Sequence, residues 1–233
     1  MRHARNYNVC VWMSVMLLAF LMPDCSADDT DNASKIQTPA AGTQLNVNWL
    51  YGAYVPKDVP LRSLTPEQRW KLYVRMTYST PGIYIKTVAF AIRDQVTDIP
   101  QQWGDGGEGF AKRLGSREGQ FVLQNSFTAL GDGLAGYEVR YDRCRCSGFW
   151  HRTGHAFVRN FVTYNRTETQ LRPQIPLYAA SSAGAVIAAA WQPGNPNLGV
   201  KAYQGAITQA WVGFGINWLG EFAPDIKRIL HRK

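Results

Sequence analysis

The sequence is poor in acid. Seventeen Asp and Glu stand against 25 Lys and Arg, a formal net charge of +8. That balance argues against a cationic partner and points to anionic ones: lipid head groups, acidic glycans or other envelope polyanions. Period-two alternation is missing from the long middle segments, and the pair Asn-Gly does not occur. Both absences argue against a strand-rich fold with tight hairpins. G-x-S-x-G, H-E-x-x-H and the phosphate loop are absent too, so no hydrolase, zinc peptidase or nucleotide signature is present. Gly104, Gly106, Gly107 and Gly109 follow no strand and read as a hairpin turn, with Asp105 and Glu108 as exposed turn acids. Charge is missing altogether from Pro173 to Val200 and from Ala202 to Gly220.

Cysteine is nearly absent: four in 233 residues, two of them among the first 25. Arg2, His3 and Arg5 precede an apolar run from Val11 to Met22, and Cys25-Ser26-Ala27 offers small residues before Asp28. That order of parts is a secretory signal peptide, residues 1–27, and the apolar run is short for a bilayer anchor. Cleavage would remove Arg2, Arg5 and Asp24 and leave the rest strongly basic. Export puts the remaining cysteines in an oxidising compartment. It also argues against nucleic acid as a partner, which charge alone would allow.

Residues 28–60 are polar and irregular and read as a flexible leader. The rest, 61–233, reads as a single helical domain. Thr65, Pro66 and Gln68 make a helix start with a reciprocal cap, and Thr80-Pro81 repeats the start signal. A hairpin over 81–138, an Arg-rich connector over 139–172 and a second hairpin over 173–222 give an all-α fold of about five or six helices. Gly109 and Gly115 are six apart, as are Gly199 and Gly205, and the entering helices end near Trp103 and Trp191. The pattern is either a pseudo-repeat or shared enrichment in glycine and tryptophan. Small residues recur at helical spacing: Gly115 with Gly119, Ala180 with Gly184 and Ala188, and Gly205 and Ala206 with Ala210. They predict flat stripes on which helices approach closely, in a tight soluble pair or in a membrane.

The uncharged stretches are long enough to cross a bilayer but only mildly apolar. Lys86, Arg93, Asp94 and Asp132 interrupt the first hairpin, where charge at mid-bilayer is costly. Two full hairpins after a signal peptide would also leave the connector outside. That connector carries seven arginines against Asp142 and Glu168, which suits the cytoplasmic side instead. A peripheral or partly inserted protein of the periplasm or the outer-envelope membrane is therefore expected before a four-span channel or transporter.

The connector uses Arg alone as its cation, interleaved with aromatic residues. Arg140, Arg143, Arg145, Arg152 and Arg159, with Trp150, are the candidates for gripping an anion or lipid; the alternative is a structural connector whose arginines pair with helix acids. Within it, Cys144, Cys146, His151 and His155 have the number and types of ligand that a zinc ion needs. Their spacing, C-x-C-x4-H-x3-H, departs from that of zinc fingers. A Cys144–Cys146 disulfide in a small ring and a pair of free thiols are the other readings.

The phrases "LTPEQRWKLYVRMTYSTPG", "RYDRCRCSGFWHRTGHAFVRNFVTYNRTE" and "NWLGEFAPDIKR" together resemble an uncharacterised family of bacterial exported proteins, over about Leu64 to Arg228. The resemblance implies an envelope location and brings no activity, cofactor or site residue. The expectation is a non-enzymatic envelope protein associating with membrane or anionic lipid, with a homo-oligomer allowed and no cofactor. A metal-binding protein or metalloenzyme using the Cys/His cluster with zinc is the alternative, and an integral channel or transporter-like protein the third reading.

Overall fold

The computed structural model describes residues 45–165 and 170–231. The expected signal peptide and residues 28–44 of the expected leader lie outside the described residues. Helix α1 (Pro66–Val74) starts as the sequence dictates. Thr65 Oγ1 accepts from the Gln68 N–H at 3.2 Å and Gln68 Oε1 from the Thr65 N–H at 2.9 Å, which satisfies two otherwise orphaned donors. A π-helical turn, Arg75–Ser79, continues it until Thr80 becomes extended ahead of Pro81, as a residue before proline is driven to do. Helix α2 is Pro81–Val96. A 3-10 turn, Gln101–Trp103, and the glycine run lead into α3, Gly107–Ala135, which Gly136 ends at φ 72°. Helix α4 is Phe149–Phe161, α5 is Ile175–Ala188, and α6 is Leu198–Leu230, capped by Asn197 Oδ1 on the Val200 N–H.

The fold is all-α, with these six helices carrying it. α3 packs against α2 and α5, α5 against α6, and α6 against α4. Both expected hairpins are thus present, α2 with α3 and α5 with α6. Short strands pin the ends. β1 (Val47–Asn48) runs antiparallel to β2 (Gly52–Val55), which pairs in parallel with β3 (Tyr141–Asp142). β4 (Val162–Tyr164) pairs antiparallel with β5 (Leu171–Pro173), Thr163 opposite Arg172.

One expectation needs correction. Residues 45–55, placed in a flexible leader, are strand and turn. Gly52 supplies the φ of 90° that the turn needs, and the Gly82 N–H of α2 donates to Trp49 O at 2.8 Å. Leu45, Val47 and Ala53 then pack with Leu64, Leu72 and Met76 in the small apolar core. Within the connector, Phe149–Phe161 form helix α4.

The small-residue stripes are largely interfaces. A side chain at Gly205 would drive into the Ser181 carbonyl of α5, and Ala180 and Ala188 are buried. Gly184 lies 3.4 Å from the α3 backbone at Gln120, and Gly119 lies 3.5 Å from the Trp191 ring, both measured from an added Cβ. Ala206 and Ala210 are half-buried. Gly115 is the exception, facing open space. The glycines paired by the suggested repeat also differ in role: Gly109 and Gly205 are closed in, whereas Gly115 meets nothing and Gly199 only its own cap residue, Asn197. Their equal intervals reflect no shared packing.

Polarity is partly inverted across the helices. Arg113, Glu138, Arg140, Arg159, Asn160 and Glu221 are buried, while the buried apolar residues are mainly alanines with Val55, Leu64, Leu72, Ile83 and Phe222. Long apolar side chains crowd the outside. α2 turns Ile83, Thr87, Ala91 and Asp94 inward and leaves Tyr84, Ile85, Val88, Ile92 and Val96 outward. A soluble helix normally does the reverse.

Candidate functional site

Gly148, at φ 90°, admits the sharp entry into α4, and from there helical spacing puts Arg152, His155 and Arg159 on one face toward β3 and α6. The sulfurs of Cys144 and Cys146 are bonded to each other. His155 points inward, its Nδ1 3.1 Å from the Tyr141 hydroxyl and its Nε2 3.9 Å from Asp142 Oδ2. His151 is exposed. The four proposed zinc ligands therefore do not converge, and among the described residues no group of three or more His, Cys, Asp or Glu is placed to hold a metal. A tetrahedral site needs such convergence.

What the cluster converges on is Glu221 of α6, a residue whose helical spacing gave no hint of a role. Glu221 is 2 % exposed. Its Oε2 accepts from the Tyr141 hydroxyl at 2.9 Å and from the Cys144 N–H at 3.1 Å, and its Oε1 from Arg152 Nε at 3.2 Å. Burial, then the neighbouring carboxylate of Glu221, push the Tyr141 hydroxyl far above its ordinary pKa, so it stays a proton donor. The signal that could have found this place is Pro224, inside α6. Proline lacks the N–H that would bond the carbonyl four residues back. That carbonyl, Gly220 O, accepts from Arg143 Nε at 2.9 Å instead. The disulfide loop is thus clamped over a break in the helix ladder.

The arginines proposed as anion contacts are spent inside the fold. Arg140 is held by Glu138 and by Arg62 O. Arg143 also donates to the Tyr51 hydroxyl at 2.6 Å and lies over the Tyr54 ring. Arg152 bonds Glu221 and Asp225 and stacks on Phe222, and Arg159 pairs with Asp142 over Tyr164. These four are tied within the fold. The reason is chemical: five fixed donors per guanidinium suit the carboxylates and stray carbonyls of an interior this polar. Arg145 remains outside, donating to Val59 O, and Trp150 is 79 % exposed. Asp105 and Glu108 are exposed, and Glu108 pairs with Lys112 one turn on.

Beside this clamp lies a cavity of about 300 Å³, floored by one face of α3. Phe121, Gln124, Asn125, Thr128 and Asp132 line it at three- and four-residue steps. Gln209 of α6 closes over it and accepts from Gln124 Nε2 at 2.7 Å. Asp132, 8 % exposed, has its carboxyl raised to about 7. Burial is the main cause; Arg69 draws the value down and Glu138 raises it. Lys86 of α2 reaches in with its ammonium 5.0 Å above the Phe121 ring, and burial lowers its pKa. Thr128 Oγ1 is shielded from solvent and has no hydrogen-bond partner among the described residues. Lys86 and Asp132 are visible in the sequence as charges interrupting apolar runs, where they argue only against a membrane span. No known protein family, curated protein or solved structure matches the chain.

Proposed function

We infer that this is a non-enzymatic protein of the bacterial envelope that seats on membrane through the outward faces of its helices. The observation that supports it best is α2. Its exposed side carries Tyr84, Ile85, Val88, Ile92 and Val96, with Arg93 the one charge among them, while Thr87 and Asp94 face inward. An apolar face of that kind is what interfacial helices bury at the boundary between head groups and acyl chains. The formal charge of +8 favours an anionic leaflet. Among the described residues no helix is long and apolar enough to cross a membrane; the reading is accordingly of seating in the interface. The grip comes from apolar insertion, with net charge as attraction, since Arg140, Arg143, Arg152 and Arg159 are committed to internal partners.

Co-sedimentation with phosphatidylglycerol and phosphatidylcholine vesicles tests this. The purified chain binds the anionic vesicles, more weakly but still measurably at high salt. The variant with Val88→Glu and Ile92→Glu stays folded, because both positions are exposed. It loses at least about tenfold in binding, since each apolar side chain is worth about 1.5 kcal/mol or more when buried. Equal binding by the variant, or no binding by the parent, sinks the reading.

A further inference from the structure

The cavity on α3 is not explained by membrane seating. Its polar groups do not complete one another. Lys86 has no hydrogen bond and no ion pair among the described residues; its one contact of that kind is the Phe121 ring. A cation on an aromatic face, away from any carboxylate, is a costly arrangement unless an anion joins it. Thr128 Oγ1, two turns further along α3, is buried with nothing to bond among the described residues. An orphaned buried hydroxyl of this kind costs on the order of 1–3 kcal/mol. Between them Gln124 and Gln209 use one amide hydrogen and one carbonyl on each other, leaving Gln124 Oε1 and Gln209 Nε2. Asn125 reaches Thr77 only at 3.4 Å. The lining therefore offers one unmatched ammonium, paired donors and acceptors, and an aromatic face.

We propose that this cavity binds a small hydroxylated carboxylate, of the class of the sugar acids, with its carboxylate on Lys86 and its hydroxyls on Thr128 and the Gln124–Gln209 pair. Each part follows from the lining. The guanidiniums of Arg69, Arg140 and Arg159 that also line it already bond Tyr137 O, Glu138 and Asp142, and the ammonium left suits a singly charged carboxylate, whereas a phosphate is gripped by several charged or backbone donors at once. Amide side chains bearing both donors and acceptors suit hydroxyl groups, which also do both. The cavity volume is at the lower end for small-molecule sites. The proposal does not depend on membrane association.

D-Glucuronate is the probe, with D-glucose and inorganic phosphate beside it, in calorimetric titration and thermal melting of the purified chain. Glucuronate binds and raises Tm with concentration, as a ligand of the folded state must. Glucose, which lacks the carboxylate, and phosphate, which lacks the hydroxyls, bind at least about tenfold more weakly. Lys86→Met melts higher than the parent without ligand, because it removes an unmatched buried charge, and loses the response to glucuronate. Thr128→Val melts somewhat higher than the parent without ligand, because it removes the orphaned hydroxyl, and binds glucuronate several-fold more weakly. No binding of glucuronate, phosphate binding as well as glucuronate, or undiminished binding by Thr128→Val each overturns the proposal. So does a Lys86→Met protein that folds but is less stable than the parent, because Lys86 would then be a structural residue.

Discussion

Asp132 sits at the far end of the cavity with a carboxyl raised to about 7 from an ordinary 3.8. The gap between those values corresponds to about 4 kcal/mol, at about 1.4 kcal/mol for each tenfold change in proton affinity. The sign follows from linkage. Below pH 3.8 the carboxyl is protonated in both states and makes no difference. Between there and about 7 the unfolded chain releases the proton while the folded chain keeps it, so the fold loses stability as pH rises. Above about 7 both are ionised and the penalty stays constant. The amide introduced by Asp132→Asn keeps the shape of the neutral acid and has no such proton to lose.

The two proteins should therefore melt together near pH 4 and draw apart as pH rises, the variant reaching about 4 kcal/mol of extra stability by about pH 8. For a chain of this size that is about 8–16 °C in Tm. Denaturant melts at matched pH, with the carboxyl carbon of Asp132 followed by NMR, measure it. The groups facing it are Arg69 of α1 and Glu138; the first favours the charged form and the second opposes it. If the gap is the same at every pH, the carboxyl is not held neutral. If the parent instead gains on the variant as pH rises, attraction to Arg69 outweighs burial and the reasoning fails.

Gly205→Ala should cost about 1–3 kcal/mol, because its Cβ would push α6 off the Ser181 carbonyl, whereas Gly115→Ala should gain up to about 1 kcal/mol in open space; urea melts of the pair separate packing from helix propensity. Arg113 is 0 % exposed and places its five N–H groups on Ile99 O, Pro100 O, Gly104 O, Gln95 Oε1 and Asp98 Oδ1. Arg113→Lys, with three donors in place of five, should lose about 3 kcal/mol or more in the same melts and loosen hydrogen exchange over residues 98–106 first.

The hairpins were legible because their signals are local. A Thr-Pro start and small residues at steps of four act within one or two turns, and α1 and α2 begin where such start signals put them. The strands were not legible because each is too short to alternate. β2 exists because β3, far along the chain, lies beside it, and because Gly82 receives the preceding turn. Nothing within residues 45–55 announces either partner. The cysteines could be paired by compartment and proximity in sequence, but the role of His155 depended on Tyr141 and Glu221, which only the fold brings together.

The arginines mark the limit of composition more sharply. An Arg-rich, aromatic-rich segment reads as a surface because charge is normally outside. Here many Ile, Val, Leu and Trp side chains lie on the exterior while Arg140 and Arg159 are inside, so the same residues serve as ties. Seen this way, Lys86 and Asp132 interrupting apolar runs were not noise on membrane helices. They were the inward side of helices whose outward side is apolar, and the few inward groups left without a partner are where a ligand would be held. The membrane face and the cavity thus follow from one inversion, and they separate under mutation. Val88→Glu with Ile92→Glu leaves the cavity lining intact, and Lys86→Met leaves the outer face intact, so each variant should lose one kind of binding and keep the other.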